Sequence, residues 1–143
     1  MKMRKKLRLP LPLGFLLLGS LITAVGQEQR IVSLEMPAYP PLARQARVQV
    51  AVTVEIEVDK DGGVSLANLV DGHPLLKAEA IHNVRTWKFR AGAPLRTTVI
   101  FDFRMRDEPA PTPSIRVVFD SYRRVEITTD PPLQLPLQKH PIY

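Results

Sequence analysis

The chain has no cysteine among its 143 residues. That rules out a disulfide framework, a lipidated cysteine and any thiolate metal site. Histidine is scarce as well. His73, His82 and His140 lack ligand spacing, and no HExxH pattern occurs. There is no GxSxG elbow, no nucleophile beside an evident base and no glycine-rich phosphate loop. Catalysis has no visible machinery, so neither enzyme, cofactor nor metal is expected.

Positive charge is scarcer than the total suggests. The formal net charge is +6, but Lys2, Arg4, Lys5, Lys6 and Arg8 supply five of those charges. From Gln27 onward, 15 Lys and Arg face 14 Asp and Glu. No basic face remains for nucleic acid.

The basic start, MKMRKKLR, precedes the apolar LPLPLGFLLLGSLI and the small residues AVG. This order predicts a secretory signal peptide over 1–26, cleaved after Gly26. An uncleaved anchor is the alternative. Pro10 and Pro12 leave Leu13 to Val25 as clean helix, about 20 Å long against a hydrocarbon core of about 30 Å. Export to the periplasm is therefore expected.

What the chain does have is strand alternation. In VQVAVTVEIEVD, Val48, Val50, Val52, Val54, Ile56 and Val58 alternate with Gln49, Ala51, Thr53, Glu55, Glu57 and Asp59. One face is apolar and the other charged, so the sheet is expected to be covered on one side. Glu55 and Glu57 read as solubility groups on the open face. DKDGG, Asp59 to Gly63, is a hairpin turn, too short for an EF-hand calcium loop. Val64 to Val70 is the return strand. In LRTTVIFDFRM, Thr97, Val99, Phe101, Phe103 and Met105 share one face, while Thr98, Ile100, Asp102, Arg104 and Arg106 share the solvated one.

HPLLKAEAIHNVRTWKFR, His73 to Arg90, has helical spacing. Leu76, Ala80, Ile81, Val84 and Trp87 fall within about 140° of the wheel. Pro74 suits the first turn. His82 lies opposite, in water, and His73 is a boundary residue. A shorter helix is expected within Glu35 to Arg47. These elements predict an α+β two-layer domain, a three-stranded antiparallel sheet covered on one face by a helix, with an extra C-terminal β-hairpin. The expected divisions are a leader at 1–26, a linker at 27–35, the domain at 36–106, a proline-rich hinge at 107–114, the hairpin at 115–129, turning near Ser121 to Arg123, and a proline-rich tail at 130–143.

Tyr39-Pro40, Ala43, Asp61-Gly62, Val64, Leu76, Ala80, Val84, Trp87 and Phe89, in this order and spacing, resemble the TonB C-terminal domain family. The resemblance covers about half of the chain. It implies a non-catalytic domain that couples an inner-membrane proton-motive complex to outer-membrane receptors. It also implies capture of an extended receptor segment, the TonB box, as an added strand on the final β-strand. On this sequence that edge is Thr97, Thr98, Val99, Ile100, Phe101, Asp102, Phe103 and Arg104. Unpaired N–H and C=O groups on a sheet edge can accept such a strand on physical grounds alone.

The sequence departs from the family pattern in several places. ARVQVAV lacks the glycines usual between first helix and first strand, and Met36 stands where many members have Gln. Residues 1–26 contain no histidine of the Ser-x-x-x-His anchor motif. About ten residues separate Gly26 from the domain, a reach of about 35 Å at most. Contact with an ExbB/ExbD-type motor is therefore not expected. The expected partner is an outer-membrane receptor or envelope protein segment. The alternative is a free-standing periplasmic assembly module that pairs its edge with itself, as a homodimer, with its tail or with an envelope protein.

Overall fold

A computed structural model of the chain describes residues 31–133. The expected leader at 1–26 and the tail beyond residue 133 lie outside the described residues. Strand alternation holds where it is strongest. β2, after a short β1 (Ile31–Ser33) and α1 (Pro41–Gln45), spans Ala51–Val58. Val52, Val54, Ile56 and Val58 are buried, and the residues between them face outward. β2 is shorter than the twelve-residue alternation. The main-chain N–H of Met105 bonds to the side chain of Gln49, so the ladder gives way to a side-chain contact there.

The DKDGG turn closes as its composition requires. Asp59 Oδ1 accepts the N–H groups of Asp61 and Gly63, both at 2.9 Å. Gly62 has φ of +84°, and a Cβ there would lie 2.0 Å from the Phe89 carbonyl oxygen. Only glycine fits. β3 (Val64–Asp71) returns antiparallel to β2. Then α2 (Pro74–Thr86) begins at His73, whose Nδ1 accepts the Leu75 N–H at 3.2 Å. α2 buries Leu76, Ala80, Asn83 and Val84 against β2 and β3, and His82 is exposed. β4 (Lys88–Phe89) pairs with β1, and β5 (Leu95–Met105) pairs antiparallel with β2.

The hairpin changes the expected architecture. β6 (Arg116–Ser121) and β7 (Arg124–Thr129) join the main sheet. Its order is β3-β2-β5-β7-β6, so five strands replace the expected three, and β7 runs parallel to β5. The physical reason lies in the apolar faces. α2 covers β2 and β3 but leaves the Phe101–Phe103 end of β5 open to one side. Val125 and Ile127 fill that side and are fully buried, and Phe119 packs edge-on against Trp87 at 6.2 Å. The α+β class and the single covered face stand, but the hairpin is part of the core rather than an appendage.

Two expected boundaries move as well. Residues 31–35 belong to the fold, through β1 and through hydrogen bonds of Glu35 to Asn83 and Thr86. Asp130, expected in the tail, is buried and accepts the N–H groups of Ala110 and Ser114 and the Arg106 guanidinium. That carboxylate folds the 107–114 hinge back onto the end of the sheet.

Candidate functional site

The family-motif residues are architectural. Tyr39 packs edge-on against Phe103, with centroids 5.3 Å apart. Its hydroxyl donates to the Val48 carbonyl, and burial pushes its pKa up to about 12. Pro40 caps α1, and Gly62 admits the Phe89 backbone. Trp87 is fully buried between the rings of Phe89 and Phe101. Its indole N–H donates to Asn83 Oδ1 at 2.9 Å, and Asn83 Nδ2 donates to the Glu35 carbonyl at 2.8 Å. The hydrophobic pattern passed over Asn83 because it is polar. Its position, three residues past Ala80 on the wheel, was the available signal.

Missing family glycines have a structural counterpart. Arg47 has φ of +55° and closes α1, with Arg47 N–H bonding to Arg44 O and Val48 N–H to Ala43 O. That is a Schellman ending, and arginine occupies the position where glycine is preferred.

The expected partner edge, Thr97 to Arg104, divides in two. Ile100, Phe101, Asp102, Phe103 and Arg104 are paired with β7. Leu95 to Val99 have β2 on one side and no strand on the other among the described residues. Backbone direction alternates along the strand. Phe103 N–H points to Val50 of the β2 side, whereas Ile100 N–H bonds to Arg123 O and Arg106 N–H to Thr129 O on the β7 side. Arg96 and Thr98 have the same parity as Ile100, so their N–H and C=O groups face the uncovered lane. Val99, Phe101 and Phe103 turn their side chains into the core. Phe101 and Phe103 therefore offer nothing to a partner in this lane.

The solvated face also needs correction. Asp102 was expected in water, yet it is 7% exposed. Its Oδ2 accepts from Arg104 at 2.7 Å and from Arg124 at 3.0 Å, tying β5 to β7. Arg106 likewise bonds Asp130 instead of facing free solvent. Arg96 bridges to Glu55 at 2.9 Å, which lowers the Glu55 pKa and leaves the pair largely exposed on the open face.

The motif residues, the turn and the order of α1, β2, β3, α2 and β5 lie within one stretch that matches the family model for the Gram-negative bacterial TonB protein C-terminal, residues 35–105. Residues 35–105 belong to the TonB C-terminal family. Protein TonB of Escherichia coli (strain K12) is 28% identical over 75 residues, which cover 51% of this chain. The chain spans 31% of the length of that relative. The solution structure of the Pseudomonas aeruginosa TonB C-terminal domain is 20% identical and covers 55% of this chain and 88% of that one, with a TM-score of 0.45. The hairpin β6–β7 lies outside the stretch matched by the TonB family model. Among the described residues no helix is long and apolar enough to cross a membrane.

Proposed function

We propose that this chain is an exported, non-catalytic TonB-like module that serves TonB-dependent transport across the outer membrane. It takes an extended segment of a receptor or envelope protein as an added strand. The observation that carries this reading is the uncovered lane beside Leu95 to Val99, where Arg96 and Thr98 present backbone donors and acceptors to no described strand. A segment in that lane lies end to end with β7. Its recognition is mostly main chain, with the Arg96 and Thr98 side chains at its flank.

Amide shifts on titration with an extended peptide from the periplasmic end of an outer-membrane receptor test this. Shifts centred on Arg96 and Thr98, abolished by Thr98→Pro, are expected. Shifts confined to β3 or β6, or none, overturn the lane.

The occupied half of β5 favours a second reading, a free-standing envelope assembly module without energy transduction. Because β7 fills Ile100 to Met105, a partner strand has five residues to pair with instead of eleven. Retention of transport-receptor function when the chain is produced without any inner-membrane motor protein distinguishes this second reading from the first.

A further inference from the structure

The outer strand of the hairpin, β6, ends the sheet with an edge that no other strand pairs among the described residues. Its backbone parity follows from its partner. Arg123 and Thr129 turn their carbonyls to β5, so Arg124, Glu126 and Thr128 of β7 face β6. Their partners Arg116 and Val118 face inward, which leaves Val117 and Phe119 with N–H and C=O groups pointing out. The side chains alternate in the same way up to Phe119, after which a bulge leaves Asp120 without a partner on β7. Val117 and Phe119 lie on the core face, whereas Arg116, Val118 and Asp120 are exposed on the open face. Neither Arg116 nor Asp120 forms an ion pair among the described residues.

We propose that β6 is an isologous dimer edge, pairing antiparallel with β6 of a second copy about a two-fold axis through Val118. Antiparallel pairing must bring outward groups opposite outward groups. Placing Val117 opposite Phe119 of the copy meets that rule, and the two-fold then places Val118 against itself. The same register sets Arg116 opposite Asp120 of the copy, twice, so opposite charges face each other across the seam. The exposed Ile115 lies just before this strand, and Ser121 lies past the bulge at its other end. There, an apolar cleft of about 310 Å³ opens between Ile31 to Leu34 and the Phe119–Tyr122 end of the hairpin. Charge and backbone parity meet in one register. A seam of this length belongs to the smaller interface class, so the dimer dissociates on dilution.

The absence of cysteine makes the register directly testable in the chain lacking its leader. Residues 118 of two copies form a non-hydrogen-bonded pair, with Cα atoms about 4.5 Å apart, within disulfide reach. Val118→Cys is expected to form a covalent dimer under oxidised glutathione at least tenfold faster than Val70→Cys, a valine on the other edge strand that is more exposed, 62% against 37%. Arg116→Cys and Asp120→Cys, which do not meet themselves, are expected to match the Val70→Cys rate. Arg116→Asp and Asp120→Arg each weaken association roughly tenfold by sedimentation equilibrium, and the double exchange restores it. Equal crosslinking rates for Val118→Cys and Val70→Cys overturn the proposal. A monomer at all concentrations, or a double exchange that fails to rescue folded single variants, does so too. Peptide capture in the Leu95 to Val99 lane does not depend on this outcome.

Discussion

At the scale of single residues, polar atoms decide more than their number suggests. Asn83 satisfies the buried Trp87 indole and the half-buried Glu35 carbonyl at once. Trp87→Ala should cost about 3–5 kcal/mol through its cavity. Asn83→Ala should cost about 2 kcal/mol by leaving the buried Trp87 indole N–H unpaired. His82→Ala should stay within about 0.5 kcal/mol, because the residue faces water. Urea melts of the three variants check the order, and equal losses would place the helix face wrongly. Arg47→Gly should stabilise the fold by about 0.5–1 kcal/mol. It relieves the left-handed cost of about 1–2 kcal/mol for an L-residue, less the glycine entropy of about 0.5–1 kcal/mol. A higher urea midpoint at unchanged slope is the expected signature. Tyr39 adds a pH dependence. Its pKa is about 12 in the fold and 10.0 ordinarily, so the unfolded chain loses this proton first as pH rises. Its contribution is complete below pH 10 and is lost as pH climbs towards 12. Tyr39→Phe should flatten that part of the alkaline stability profile relative to the parent chain.

At the scale of elements, the hairpin is held by a buried apolar side and a polar clasp at its base. Burying Val125 and Ile127 is worth about 1.5–3 kcal/mol each, a large part of the stability of a small domain. Ile127→Ala should cost about 2–5 kcal/mol. Removal of residues 107–143 should abolish cooperative unfolding rather than liberate a clean three-stranded domain. A truncated chain that melts cooperatively near the parent midpoint would show the hairpin to be a detachable cover. The clasp is Asp130, whose pKa is held below the usual carboxylate value by the N–H groups of Ser114 and Ala110 and then by Arg106. The unfolded chain therefore takes up this proton first on acidification. The clasp contributes fully above the ordinary carboxylate pKa and is lost as pH falls through the lowered one. Asp130→Asn should remove this acid sensitivity, read as loss of amide protection in the 107–114 segment of the parent but not of the variant.

At the scale of the molecule, one sheet carries three edges of different character. β3 is bulged, the β5 lane is five residues long, and β6 is bulged at Asp120 and bears opposite charges near its ends. Proline scanning separates them. Ile100→Pro removes a donor that β7 uses, so it should destabilise the fold by about 3 kcal/mol or more. Thr98→Pro removes an N–H directed into the open lane and should leave the melt nearly unchanged while abolishing peptide binding. Loss of folding in both variants would mean that the Leu95 to Val99 lane is structurally occupied.

Side-chain period alone determined much of this protein. The alternation at Val52 to Val58 and at Val99 to Phe103, the helical spacing from Leu76 to Trp87 and the Asp-Gly turn are local patterns. Local geometry turns them into faces. The motif pairs Tyr39-Pro40 and Trp87–Phe89 were legible through the family resemblance, although Tyr39 packs on Phe103 and Trp87 on Phe101 and Phe119, far along the chain. Faces, however, say nothing about lanes. Whether Val125 and Ile127 would lie beside β5, and in which direction, depended on where α2 left the sheet uncovered. The burial of Asp102 depended on two arginines, Arg124 arriving from 22 positions away. The capture of Asp130 depended on a folded-back hinge. Those contacts are long-range, and their free energy exists only once the sheet has assembled. The candidate site was therefore half readable. Sequence named the strand that would present an edge, and only the tertiary fold decided that β7 would take Ile100 to Met105 and leave the backbone of Arg96 and Thr98 without a partner strand among the described residues.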